Sequence, residues 1–303
     1  MITKQAQNRS QYKRQWIYTD SARNAWSAII EKYKIDNPDG TILLPAYIGW
    51  SSNEGSGIFD SVRLSGLKYD FYGLSLHLKI DITLFKQLVL KDKSQLVLLV
   101  HYFGFTDSQY NEITEWLIEN DIFFVEDCAH AWLSDLVGGA CGRKGAYSFY
   151  SLHKLLATNT GGMIVYNKSG ENSSINKIPF FELNYDLYSI YFKRRSNFNY
   201  LTALLKDIEG IDIIYKVLDE GICPQTLPVI ITNFDRNKLY FEMNERGFGM
   251  VSLYHTMISQ LETVPFESVK ITANKILNFP IHQDVSFNDL DEMVVVLKNI
   301  LNV

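Results

Sequence analysis

An α/β fold, with a large domain built on a mostly parallel central sheet flanked by helices and a small C-terminal α+β domain, is predicted by three features. Leu96-Val97-Leu98-Leu99-Val100 is a continuous apolar run of the kind buried on both faces of a parallel sheet. A helical stripe, Tyr110, Ile113, Trp116 and Leu117, leads from it into the apolar stretch Ile122-Phe123-Phe124-Val125. Strand, helix and strand in that order predict parallel strands with a right-handed crossover. Late in the chain, Leu227 to Thr232 reads as a strand and Asp235 to Arg246 as a helix closed by Gly247, a smaller alternation. At 303 residues and 47% hydrophobic content the chain buries a sizeable core. We divide it into a large domain over residues 1–180 and a small one over 181–303.

In chain order, Asp20 and Ser21 are N-cap residues before an apolar stripe of Ala22, Ala25, Trp26, Ile29, Ile30 and Tyr33, so a helix starts at Ser21. Its free N–H groups and positive dipole end suit a phosphate. Asn37-Pro38-Asp39-Gly40 is a turn, and Thr41 to Leu44 a strand that stops at Pro45. Asn53 to Gly57 is a polar, glycine-rich loop, Leu67 to Tyr72 a strand, and Ile82 to Val89 a helix. Gly138-Gly139 and Gly142 mark a hairpin-like connection. Lys168 to Lys177 is polar and loop-like. Lys193-Arg194-Arg195 begins a helix through Tyr200, Leu204 and Leu205, its charges reading as a solvated face. Ser286-Phe287-Asn288-Asp289 caps a final helix with Leu290, Met293, Leu297 and Ile300 inward.

The stretch from Phe123 to Val165 organises the chemistry. Asp127 emerges at the carboxyl end of a strand, where open α/β sheets place ligands. The second apolar segment, from Ala146, ends in Ser151-Leu152-His153-Lys154, followed by Gly161-Gly162 and the run Met163 to Tyr166. An acid and a lysine at the ends of two buried strands read as a cofactor pocket. Apolar neighbours lower a lysine pKa in the direction a nucleophilic amine needs.

Val125-Glu126-Asp127-Cys128-Ala129-His130-Ala131, then Ser151-Leu152-His153-Lys154 and Gly161-Gly162, resemble the DegT/DnrJ/StrS-type sugar aminotransferases, a branch of the fold-type-I pyridoxal phosphate enzymes. Asp20-Ser21-Ala22-Arg23-Asn24-Ala25, Leu44-Pro45-Ala46-Tyr47, His101-Tyr102-Phe103-Gly104 and Phe279-Pro280-Ile281-His282 are similar to further family segments in the same order. The resemblance implies a fold-type-I PLP-transferase with pyridoxal 5'-phosphate held by Lys154, and Asp127 against the ring nitrogen. His130 reaches the ring oxygen or the ring face, while Trp50, with Tyr47 behind it, covers the ring. Ser21, Ala22 and Arg23 at the helix start, with Ser151 or Ser148, grip the phosphate, Ser151 having the Ser-x-x-Lys spacing. Ala22 stands where the family has glycine, which loosens the backbone approach. His101 either lines the pocket or is satisfied locally, the latter being the commoner fate of a strand-end histidine. Tyr254-His255 falls in a segment that in relatives approaches the substrate. Asn184-Tyr185 is a poor remnant of the family segment that completes the neighbouring subunit's phosphate site.

The implied activity is amino transfer from an amino acid such as glutamate to a keto sugar, nucleotide-linked, by a homodimer. Alternatives are a sugar dehydratase, since His153 stands beside Lys154 and dehydrating relatives carry histidine in place of the lysine, a transaminase of another substrate, or a non-catalytic binding protein. A net charge of −5 offers no basic field for nucleic acid. The start, with Lys4, Arg9, Lys13 and Arg14, has no apolar h-region, and no run approaches the roughly 18 apolar residues of a membrane span. Cys128, Cys141 and Cys223 cannot all pair and lack metal-ligand spacing, so the reading is a cytoplasmic protein without a metal.

Overall fold

Residues 14–167 and 185–302 are described by the structure, a computed structural model. The first segment runs β1 (Gln15–Thr19), α1 (Ala22–Asp36), β2 (Thr41–Pro45), α2 (Phe59–Ser65), β3 (Lys68–Tyr72), α3 (Ile82–Val89), β4 (Leu96–Val100), α4 (Tyr110–Glu119), β5 (Phe123–Asp127), α5 (Trp132–Leu136), β6 (Tyr147–Ser151) and β7 (Gly162–Tyr166). The second runs α6 (Leu187–Leu205), β8 (Ile211–Ile213), β9 (Thr226–Ile231), α7 (Arg236–Glu245), α8 (Glu267–Lys275), β10 (Ile276–Pro280) and α9 (Phe287–Leu301). The expected division at residue 180 and the loop at 168–177 lie outside the described residues, as does Asn184.

Among the described residues the large sheet has seven strands in the order β1-β7-β6-β5-β4-β2-β3. Strands β3, β2, β4, β5 and β6 are parallel, and β7 runs antiparallel to both β6 and β1. Leu96 to Leu99, four of the five residues of β4, are buried, as a strand covered on both faces requires. Helix α1 covers one face, Trp26 stacking on Phe149 at 5.4 Å and Tyr33 on Phe123 at 5.7 Å. Helix α4 covers the other, where Tyr110 donates to Glu126 at 2.8 Å. Because side chains alternate across a strand, Asp127 and Ser151 share the α1 face while Glu126 and Ser148 point to the opposite one.

Ser21 is the N-cap of α1, its Oγ accepting from Asn24 N at 3.1 Å. The helix start rests on β7: a Cβ at Gly162 would lie 2.2 Å from Ser21 C and 2.5 Å from Ala22 N. Gly162→Ala is therefore expected to push α1 off the sheet and to cost about 1–3 kcal/mol, read as a lower denaturation midpoint.

A second, antiparallel sheet of order β10-β9-β8 forms in the C-terminal segment. Helix α9 carries the expected capping box, with Ser286 and Asp289 bonded reciprocally. Helix α6 begins earlier than its charge triplet implied, under an Asp186 cap that accepts from Ser189 N at 3.0 Å. Exposed Tyr188 and Phe192 in its first turns blur the apolar stripe that would have marked this start. The triplet is not a solvated face. Arg194 is buried against Gln283 Oε1 and Gln225 O, Arg195 donates to Asp219 O and Ile222 O, and Lys193 lies over the Phe287 ring at 4.7 Å. The glycines at 138, 139 and 142 do not form a hairpin-like connection. Strands β5 and β6 are parallel, joined through α5, and Gly138 is pressed against Gly221, whose carbonyl oxygen would sit 1.7 Å from an added Cβ.

Candidate functional site

Strand β5 ends on Asp127, 5% exposed, whose Oδ1 accepts from Ala129 N at 2.8 Å. Burial raises its pKa from 3.8 to about 6, against the opposing pull of the Ala129 N–H and the charge on Lys154. Asp127 is thus ionised at neutral pH.

Strand β6 passes into a single 3-10 turn, Leu152–Lys154, which ends the ladder and aims Lys154 back toward β5. Lys154 Nζ lies 3.0 Å from His130 Nε2. Burial lowers the lysine pKa, more than the charges of Asp127 and Glu54 restore it. Burial and the neighbouring lysine lower that of His130 as well. Phe103 N donates to His130 Nδ1 at 3.1 Å. A neutral imidazole that accepts at Nδ1 carries its proton on Nε2, so the short contact is satisfied when Nε2–H donates to an unprotonated lysine amine.

The strand register sets the neighbouring subsite. Ser151 pairs with Gly162, which pairs with Thr19, two residues before the N-cap Ser21. Ser151, Gly162 and the first residues of α1 therefore form one contiguous patch on the Asp127 face, with the helix dipole directed at it. Ser151 Oγ sits 3.2 Å from His153 Nδ1. Ser148 is elsewhere: its hydroxyl donates to Gly142 O at 2.7 Å and accepts from Asn167 Nδ2 at 2.9 Å on the opposite face of the sheet. The Arg23 guanidinium donates to Glu54 O and lies 3.6 Å from Asp60. Trp50 is 45% exposed and lines a surface depression with Phe59, Arg63 and Met257. Tyr47 is buried, its hydroxyl donating to Leu253 O at 3.2 Å.

Glu126, one residue before Asp127, plays a separate part on the far face. It accepts from Gly142 N at 2.7 Å, Tyr110 Oη at 2.8 Å, and Lys144 N and Gly145 N at 2.9 Å. His101 Nε2 completes the set at 2.9 Å, so His101 is satisfied locally. Burial alone would raise Glu126 and lower His101, yet their bond and its neighbours hold Glu126 at about 2 and lift His101 to about 9. Stability from the depressed carboxyl is present above about 4.5 and is lost as pH falls toward 2. That from the raised imidazole is full below about 6.5 and is lost as pH rises through 9.

His101, Cys128 and Cys141 bring one ligand atom each to within 4.8 Å of one another, a grouping that sequence spacing does not show. Burial and a bond to Cys141 push the Cys128 thiol up, so it is a packed, protonated group and not a nucleophile. Sequence reasoning gave Tyr254 only a general place near substrate. In the structure its hydroxyl is 3.3 Å from His130 Nε2 and its ring lies nearly parallel to the imidazole, 19° between planes.

No curated protein sequence matches the chain. The fold is shared with several solved structures. A DegT DnrJ EryC1 StrS aminotransferase from Brucella abortus is 17% identical with a TM-score of 0.74, over 94% of this chain and 85% of that one. Escherichia coli GDP-4-keto-6-deoxy-D-mannose-3-dehydratase, solved with bound hydrated PLP, is 18% identical with a TM-score of 0.75, over 93% and 87%. Helicobacter pylori PseC, an aminotransferase in pseudaminic acid biosynthesis, gives 15% and 0.74, over 94% and 86%. A family model matches residues 65–184, the stretch that carries Asp127, His130 and Lys154. That model describes the DegT/DnrJ/EryC1/StrS aminotransferase family, to which this stretch of the chain is similar.

Proposed function

We propose that the protein is a pyridoxal phosphate-dependent aminotransferase that moves an amino group from an amino acid, glutamate being the expected donor, to a keto sugar carried on a nucleotide. The observation that carries this reading is the 3.0 Å contact of Lys154 with His130 beside a buried, ionised Asp127. The residues fit the cofactor: an acid, an amine whose pKa burial lowers, and the N-terminus of α1 lie on one face of the sheet. Homodimer formation and a cytoplasmic location belong to the same proposal. Among the described residues no helix is long and apolar enough to cross a membrane.

Bound there, pyridoxal phosphate supplies an electron sink for the carbanion left when an amino acid loses its α-proton. Asp127 holds a proton on the ring nitrogen by accepting its hydrogen bond. Ser151 Oγ and the N–H groups of Ala22 and Arg23 face the phosphate. His130 would donate toward the ring oxygen, and Trp50, which lies half exposed beside Phe59, Arg63 and Met257, would have to turn inward to cover the ring. Lys154 Nζ, whose pKa burial lowers, would take the donor's α-proton as a base and deliver it as an acid to the cofactor carbon bonded to the amino nitrogen.

The dehydratase alternative turns on which side chain reaches the site. His153 is exposed and bonded to Ser151, whereas Lys154 points inward, which supports amino transfer. A nucleotide-linked acceptor is supported by a structure of the same fold, a GDP-4-keto-6-deoxymannose-3-dehydratase mutant with bound GDP-perosamine.

The test is direct. Protein supplied with pyridoxal phosphate should turn yellow, borohydride should fix the cofactor on the Lys154 peptide, and glutamate should then release 2-oxoglutarate. A preparation that stays colourless removes the reading; one that binds and reduces the cofactor without glutamate turnover removes the transaminase part of it.

A further inference from the structure

Tyr254 is held in a conformation that its own sequence does not favour. Its φ is +60°, in the left-handed region that bulky residues avoid. Its ring is pressed on Gly49, where an added Cβ would lie 2.0 Å from Cδ1. Tyr47 and Tyr102 wall it in edge-on, at 5.5 Å and 6.0 Å between ring centres. Such strain persists only where the surroundings over-determine it, and it clusters at functional sites. Here it delivers a hydroxyl to His130 Nε2, on the same atom that faces Lys154.

One imidazole N–H thus has two acceptors, the amine at 3.0 Å and the phenol at 3.3 Å. With the lysine neutral, Nε2–H donates to Nζ. Once the lysine is protonated, Nζ offers only N–H groups and the imidazole proton would face another donor. The phenol oxygen is then the acceptor that remains, while Nδ1 stays committed to Phe103 N.

We propose that Tyr254 is a positioning residue which, through His130, sets how readily the Lys154 amine takes up a proton during the reaction. The proposal rests on Lys154 being the reactive amine. By giving Nε2–H a second acceptor, the phenol makes the protonated lysine tolerable inside the pocket, so the amine can act as acid as well as base. The other charged groups around Lys154 are Asp127 from β5, Glu54 from the loop after β2 and His153 on its own turn. None of them contacts Nε2 of His130, so the effect of the phenol is separable from theirs.

Competitive acetylation of Lys154 with acetic anhydride across pH, read by mass spectrometry on the full chain without cofactor, tests the proposal. In Tyr254→Phe the N–H loses its second acceptor, the protonated state is penalised, and the labelling midpoint should fall by about one pH unit, a tenfold change in the protonation constant. Tyr254→Leu, which also lacks the hydroxyl, should shift the same way, and guards against a folding defect peculiar to one variant. A midpoint unchanged or raised in both overturns the proposal. No cofactor enters this measurement, so its failure is distinct from failure of the assigned activity, which the colour and 2-oxoglutarate assays report.

Discussion

Lys154→Ala should abolish amino transfer, with single-turnover conversion by glutamate slowed at least about 10³-fold, because one atom both anchors the cofactor and carries the proton. The variant should fold normally, since among the described residues Lys154 Nζ makes one hydrogen bond, to His130, and no ion pair. Lys154→Arg is the sharper comparison. A guanidinium stays protonated in any pocket, so restoring positive charge should restore almost nothing. Stopped-flow absorbance with glutamate measures both, and wild-type-like conversion by either variant would mean that the chemistry belongs to another residue.

The largest effect on stability is expected from Glu126→Ala, at about 3–5 kcal/mol, as for breaking one side of a buried charged pair. The substitution strands the N–H groups of Gly142, Lys144 and Gly145, the Tyr110 hydroxyl and a charged His101 in a dry interior. Glu126→Gln keeps the shape and one acceptor oxygen and should lose less. Urea unfolding at pH 7 checks the order. A loss below about 1 kcal/mol for the alanine variant, the worth of one ordinary hydrogen bond, would show that water enters and replaces these partners.

How much of this was legible in the residues depends on the range of the interaction. Asp127 at a strand end, the start of α1 at Ser21 and the limits of α3 and β4 follow from local pattern, and the structure reproduces them. Spacing from the lysine favoured Ser151 over Ser148, and strand parity points the same way, because Ser151 lies on the face of Asp127 and Ser148 does not. Glu126 was passed over because its partners come from α4, β4 and the Gly142 to Gly145 turn, which no spacing links. Tyr254 carried only a general family likeness, since the residue its ring packs on, Gly49, is far away in sequence. The start of α6 was misplaced because its first turn shows aromatic groups outward.

The pairing of β1 with β7 has a bearing on how the pocket is made. Among the described residues, the strand that positions Ser21 comes first in the large sheet, yet its one ladder partner is the last. The start of α1 is therefore positioned by a long-range closure, the kind of contact that makes folding slow and leaves early intermediates exposed to aggregation.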